Sequence, residues 1–210
     1  MSFDPTSPDL PERRVLLVRH GHYDRVGDLG DEVWSLSPLG RKQASRLGTR
    51  LARTLQAMPG QLEGLYSSPW PRALQTAEVV AQECGLTTLR TKPYLRECVP
   101  IVPRLDPVLE RMGLVQTTPE EHSATVAQVE RVEHRFLAPS RRATMYVLVC
   151  HGNLIRYLVA RTLGLPLETW MQLECHHSSI TELRVYPGPR RALIRYNDTG
   201  HLPPEMVSAV

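Results

Sequence analysis

The pattern of apolar and polar positions predicts buried strands that alternate with amphipathic helices. Two continuous apolar runs, residues 15–18 and 146–150, are typical of strands buried on both faces of a parallel sheet. A strand end at 65–68, a short strand at 87–91 and a closing hairpin at 180–186 and 192–196 are weaker signals. The chain therefore has the strands of one central sheet.

Apolar residues at helical spacing predict four helices between these strands. The first begins after the N-cap residue Ser37, with Pro38 in its first turn, and continues to Leu55 over about four turns. The second begins at Pro69 or Pro71 and stops before Gly85. Surface spacing predicts a third helix at 124–137 and a fourth at 154–163, whereas the proline-rich stretch 100–119 predicts a loop.

This alternation predicts an α/β fold, a three-layer α/β/α sandwich with a mostly parallel central sheet. We find no internal repeat and no linker that would divide the chain. We therefore expect one domain over residues 14–210 and a flexible, polar N-terminal segment over residues 1–13.

Composition narrows the function class. The net charge of +3 comes with no block of basic residues, so we expect no nucleic-acid partner. The polar start of the chain and the lack of a long apolar run predict neither a signal peptide nor a membrane anchor. No CxxC pair occurs among the cysteines, which favours a reduced, cytoplasmic location; they are Cys84, Cys98, Cys150 and Cys175.

Two predicted buried strands end in a histidine followed by a glycine, at His20-Gly21 and His151-Gly152. Because the carboxyl ends of neighbouring parallel strands meet at one edge of a sheet, two imidazoles can lie in one crevice. A single histidine at a strand end often does no more than cap a loop. The equivalent position of both favours a catalytic pair.

Arg72 and Glu97 are further candidates. Arg72 falls in the first turn of a predicted helix, where backbone N–H groups already favour an anion, and a surface salt bridge is the alternative. Glu97 supplies a carboxylate in a later loop, where solvent exposure is the default expectation.

Together these motifs resemble the histidine phosphatase superfamily, the phosphoglycerate mutase-like proteins. The resemblance covers roughly residues 14–204 and rests on motifs that occur in the same order and at similar spacing. They are Leu17-Val18-Arg19-His20-Gly21, Ser37-Pro38-Leu39-Gly40, Ser67-Ser68 with Arg72-Ala73, Leu95-Arg96-Glu97, and Val149-Cys150-His151-Gly152.

The resemblance implies a metal-independent phosphatase without a cofactor, in which a histidine is phosphorylated. It implies His20 as the nucleophile, Glu97 as the proton donor and acceptor, and a protonated His151 as a cation. The implied phosphate-binding residues are Arg19, Arg72, Gly21 and Gly152. Three further histidines, His22, His176 and His177, lack the spacing of a zinc site, and the sequence assigns them no role.

Within the superfamily, the chain is most similar to the mitochondrial phosphoglycerate mutase-like serine/threonine protein phosphatases, through Asn153 with Ile155-Arg156-Tyr157 and Asp198-Thr199-Gly200. This likeness implies a phosphorylated protein as partner, and a homodimer is the further expectation for assembly. A small phosphate ester is the alternative substrate, with a mutase or a sugar bisphosphatase as the alternative enzyme. A catalytically silent docking module is the third hypothesis.

Overall fold

A computed structural model describes residues 11–25, 30–58, 60–102, 107–111 and 115–209. The strands are β1 (Arg13–Arg19), β2 (Gln61–Ser67), β3 (Leu89–Thr91), β4 (Thr144–Cys150), β5 (Ile180–Val185) and β6 (Arg191–Asp198). The helices are α1 (Pro38–Ala57), α2 (Pro71–Glu83), α3 (Pro107–Arg111), α4 (Pro119–Phe136) and α5 (Gly152–Leu163).

The strands form one six-stranded sheet in the order β3-β2-β4-β1-β5-β6. The pairs β3-β2, β2-β4 and β4-β1 are parallel, while β5 is antiparallel to β1 and to β6. The predicted mostly parallel sheet and the closing hairpin are therefore confirmed.

Alternate residues of β1 divide the core into two layers. Leu16 and Val18 pack with apolar residues of α1 and α2, such as Leu47 and Ala77. Val15 and Leu17 belong to the core on the opposite face, which α4 and α5 cover with residues such as Val129 and Leu158. Because successive side chains of a strand point to opposite faces, a fully apolar strand needs a helical layer on each side. The three-layer α/β/α architecture is confirmed.

Several predicted boundaries were wrong. The first strand begins at Arg13, inside the segment 1–13 that was expected to be flexible, and residues 1–10 lie outside the described residues. Helix α1 has 20 residues, more than the predicted four turns, and α5 already begins at Gly152. The predicted loop 100–119 contains the short helix α3, although residues 103–106 and 112–114 are not described.

Helix α4 begins at Pro119, five residues before the prediction, because Thr118 caps it. The Thr118 hydroxyl accepts a hydrogen bond from the Glu121 N–H at 3.1 Å, and the Glu121 carboxylate accepts one from the Thr118 N–H at 2.9 Å. This reciprocal capping box stabilises a polar first turn that apolar spacing cannot reveal.

Among the described residues, no helix is long and apolar enough to cross a membrane. All four cysteines are free thiols, and Cys98, Cys150 and Cys175 are buried.

Candidate active site

The register of two parallel strands brings His20 and His151 together. Arg19 at the end of β1 pairs with Cys150 at the end of β4, so the next residue of each strand is a histidine at the same edge of the sheet. The His20 N–H donates to the Cys150 carbonyl at 3.0 Å, and the two ring centroids are 5.0 Å apart. The predicted pairing of the two imidazoles is confirmed.

The segment that follows the neighbouring strand β2 brings Ser68, and then Arg72 in the first turn of α2, to the same edge. The Ser68 hydroxyl lies 2.9 Å from His151 Nε2, and Arg72 Nε donates to His20 Nε2 at 3.1 Å. Arg72 is only 2% exposed, which rules out the alternative of a surface salt bridge. Its position in the first turn of α2 places its guanidinium directly against the candidate nucleophile.

Glu97 reaches the site from a short 3₁₀ turn that follows β3, and its carboxylate lies at the N-terminus of α5. It accepts hydrogen bonds from the N–H groups of Leu154 at 3.1 Å and Asn153 at 3.3 Å. Glu97 lines the cavity and is only partly exposed, so the expectation of full solvent exposure was wrong. Burial raises the pKa of this carboxyl, and it outweighs the opposing effect of these hydrogen bonds and of Arg19.

His20 is held as a neutral imidazole. Burial lowers its pKa well below the ordinary value, and the neighbouring His151, Arg19 and Arg72 lower it further. Its Nδ1 lies 2.8 Å from the Gly21 carbonyl, which can only accept, so we assign the proton to Nδ1. The lone pair then belongs to Nε2, the atom that receives the Arg72 N–H.

His151 is fully buried beside the two arginines. Burial, Arg72 and Arg19 lower its pKa well below the ordinary value. A proton on His151 would therefore need a compensating negative charge nearby, and its protonated form stays a prediction for the site with a phosphate group bound. Its Nδ1 atom is buried and has no hydrogen-bond partner in the described part of the chain. An anionic oxygen at that atom would satisfy it and stabilise the proton.

The two glycines of the histidine motifs have different roles. A Cβ at Gly152 would lie 3.3 Å from Arg19 Nε, so this glycine leaves space for the Arg19 guanidinium. Gly21 instead packs against the backbone of Gly40, whose carbonyl oxygen a Cβ would approach to 2.7 Å. The Gly21 N–H donates to the Thr76 hydroxyl at 3.0 Å. The predicted phosphate contact of Gly21 is therefore not supported.

A cavity of about 410 Å³ opens onto His20 and contains an excess of positive charge. The guanidinium groups of Arg19, Arg72 and Arg156 line it, against the carboxylates of Glu97 and the exposed Glu174. Arg19 is 6% exposed and donates to the Cys175 carbonyl, while its Nε has no partner among the described residues. A dense set of cationic donors in a partly desolvated cavity is suited to a phosphate group.

The sequence argument did not assign several residues of the site. Tyr23 and Trp170 line the cavity, Ser68 contacts His151, and Trp70 packs on His151 with ring centroids 4.9 Å apart. Ser68 belongs to one of the motifs, and Trp70 lies between Ser68 and Arg72, so proximity to Arg72 was the available signal. Trp170 comes from a distant segment, and only the fold brings it to the cavity.

The three histidines to which the sequence assigned no role, His22, His176 and His177, have different hydrogen-bond partners. His177 is buried beside His20, with ring centroids 5.5 Å apart, and its Nδ1 lies 3.0 Å from the Ser208 hydroxyl. His22 Nδ1 lies 2.8 Å from the Ser37 hydroxyl, which joins the first loop to the N-cap of α1. His176 bonds to Asn197 on β6.

Comparison with known families agrees with this geometry. The family model "Histidine phosphatase superfamily (branch 1)" matches residues 15–99 and 110–199, which include all the candidate catalytic residues. The chain belongs to this superfamily. The resemblance inferred from the motifs is thus confirmed.

Similar proteins in the superfamily are phosphatases and mutases. The chain is 32% identical to the mouse (Mus musculus) mitochondrial serine/threonine-protein phosphatase PGAM5 over 93% of its length, and it spans 66% of that relative. A solved structure named mycobacterial hydrolase 1 is 26% identical, with a TM-score of 0.61, covering 89% of this chain and 99% of the other. The Plasmodium falciparum phosphoglycerate mutase, 22% identical with a TM-score of 0.61 over 95% of this chain and 99% of its own, shares the fold.

We predict that buried His177 makes folding stability fall in acid. Burial lowers its pKa from 6.5 to about 2, so between these values the unfolded chain binds one more proton than the folded chain. Stability is therefore fully present above pH 6.5 and is lost as the pH falls below it. Urea unfolding from pH 7.5 to 5.0 should show a free energy that falls more steeply than in His177→Asn, by about 1.4 kcal/mol per pH unit at the acid end. Equal slopes would contradict a neutral, buried His177.

Proposed function

We propose that this protein is a phosphatase that hydrolyses phosphate monoesters through a phosphohistidine formed on His20. The observation that carries the proposal is a buried imidazole that lines a cationic cavity, with its pKa lowered by burial and its Nε2 accepting the Arg72 Nε–H at 3.1 Å. Its nucleophilic nitrogen needs no base, because it already lacks a proton at neutral pH. Covalent capture followed by hydrolysis divides one difficult displacement into two easier ones.

Charge and hydrogen bonds support the first step. Arg19 and Arg72 can donate to the non-bridging oxygens of the transferred phosphoryl group. For His20 Nε2 to attack, the Arg72 Nε–H must leave that lone pair, and a phosphate oxygen is the acceptor that replaces it. The negative charge of the bound phosphate group favours a proton on His151, which then becomes a further hydrogen-bond donor. His151 is thus a cation only when the substrate is present.

Glu97 supports both proton transfers. Its raised pKa keeps the carboxyl protonated to a higher pH than usual, so it can give a proton to the leaving alkoxide. The carboxylate that remains can accept a proton from the water that attacks phosphohistidine, and this second transfer restores the acid. The hydrogen bonds from α5 hold the group in place for both steps.

We also propose that turnover needs no metal ion. Two guanidinium groups and His151 already offer the positive charge that a divalent cation would supply. In the part of the chain that the structure describes, no three side chains of the metal-binding types are grouped to hold an ion.

For the substrate, we propose phosphoserine or phosphothreonine in a protein or peptide. The similarity to serine/threonine-protein phosphatases supports this class, although the chain spans only 66% of their length. A small-molecule substrate is the second candidate, because Arg156 offers a further cation in the same cavity. The guanidinium carbon of Arg156 lies 4.9 Å from the ring centroid of Trp170. The expected cytoplasmic location stays a prediction, since these relatives are named mitochondrial.

We predict an acid-labile phosphate on His20. Protein mixed with a ³²P-labelled monoester and quenched in alkali should carry label on the peptide that contains His20, and His20→Ala should lose turnover by at least about 10³-fold. Labelling should persist after treatment with a chelator. Activity that returns only with a divalent ion would show that a metal takes part, and a protein that neither labels nor turns over would be a silent docking module.

We predict that Glu97→Gln affects substrates according to their leaving groups. An alkyl phosphate should lose about 10²-fold in kcat/KM because its alkoxide needs a proton, whereas an activated aryl phosphate should lose less than about tenfold. In the wild type, kcat/KM for the alkyl ester should fall as the pH rises through the raised pKa of Glu97. Equal losses for both esters would remove Glu97 from the acid role.

We predict that phosphoserine and phosphothreonine peptides are hydrolysed at least as efficiently as 3-phosphoglycerate or sugar phosphates. The measurement is kcat/KM for a varied panel of peptides and metabolites with one protein preparation. If every peptide is ignored while one metabolite is turned over with a much higher kcat/KM, the small-molecule alternative replaces the peptide.

A further inference from the structure

Two aromatic side chains enclose the guanidinium group of Arg72. Its central carbon lies 4.9 Å from the ring centroid of Tyr23 and 4.9 Å from that of Trp70. Both distances fall within the range of a cation–π interaction, which strengthens when the pair is removed from water. The two rings come from different elements: Tyr23 follows the β1 motif, and Trp70 is the N-cap of α2. We call this pair the aromatic clamp.

Each ring of the aromatic clamp also packs against one of the two catalytic histidines. Tyr23 meets His20 in an edge arrangement, with ring centroids 5.3 Å apart and planes at 72°. Trp70 meets His151 in the same manner, at 4.9 Å and 73°. The clamp therefore fixes the guanidinium relative to both imidazoles at once.

The clamp itself is held in place by further contacts. Tyr23 pairs with Leu36 in an isolated β-bridge and stacks on Trp34, with ring centroids 5.6 Å apart and planes at 17°. The backbone N–H of Trp70 donates to the Ser68 hydroxyl at 3.2 Å, and the same hydroxyl lies beside His151. These contacts hold the backbone at both residues and pack one face of the Tyr23 ring.

We propose that Tyr23 and Trp70 are positioning residues that hold Arg72 ready for the phosphoryl group, an inference that rests on the proposed function. A free arginine side chain loses much rotational freedom when it becomes ordered around a ligand. The clamp imposes this order before the substrate arrives. By a small shift of the side chain, the Arg72 Nε–H then changes its hydrogen-bond acceptor from His20 Nε2 to a phosphate oxygen. This change frees the His20 lone pair when the phosphorus comes within reach.

The proposal predicts a specific dependence on the aromatic rings. Tyr23→Leu and Trp70→Leu remove a ring face, whereas Tyr23→Phe and Trp70→Phe keep one and serve as matched controls. Each leucine variant should slow single-turnover labelling of His20 by about 5- to 30-fold and weaken binding of inorganic phosphate by a similar factor. The phenylalanine variants should stay within about threefold of wild type. Thermal unfolding of all four variants checks that they fold.

The same substitutions in an Arg72→Ala background separate positioning from general packing. If the rings act through Arg72, each leucine substitution should lose most of its effect on phosphate binding and labelling once Arg72 is gone. Leucine variants that match their phenylalanine controls, or losses that persist undiminished without Arg72, would overturn the proposal. Phosphate binding does not need turnover: a wild type that binds phosphate with this coupling yet never labels His20 would refute the proposed function and support the clamp.

Discussion

The active site depends on keeping two imidazoles neutral inside a buried and positively charged cavity. His20 and His151 are nearly inaccessible to water, and Arg19 and Arg72 lie beside them, so burial and like charge both oppose protonation. The parallel register of β1 and β4 creates this arrangement, because it brings both histidines to one edge of the sheet. The rest of the fold supports that edge with two apolar layers.

The surroundings that repel a proton also favour a phosphate group. Before phosphate binds, burial and the positive charge of the arginines lower the pKa of both imidazoles, so that neither ring favours a second proton. In the proposed mechanism, a phosphate dianion would reverse the balance: it would satisfy the guanidinium groups and favour a proton on His151, whose Nδ1 has no partner among the described residues. For Glu97 the same kind of burial shifts the pKa in the opposite direction, because the protonated carboxyl is the neutral form that burial stabilises. The proposed nucleophile, cation and acid thus differ in the way that their local surroundings shift their pKa values.

The sequence predicted the parts of the molecule that depend on local or periodic signals. Apolar runs located the buried strands, and Ser37-Pro38 gave the start of α1. The capping box of Thr118 and Glu121 was also readable, but apolar spacing alone missed it. Glu97 could not be placed from spacing, because its contact with α5 joins segments 56 or more residues apart. The contact of Tyr23 with Arg72 likewise requires the fold, since nothing in either motif specifies the other.

The neutrality of His20 is the central claim, and ¹⁵N NMR of histidine-labelled protein tests it most directly. His20→Gln identifies the resonance by its loss. We expect His20 to keep the chemical shifts of a neutral ring protonated on Nδ1, with Nε2 unprotonated, from pH 8 to well below its ordinary pKa of about 6.5. A ring that becomes an imidazolium near pH 6.5, or one that carries its proton on Nε2 at neutral pH, would contradict this account.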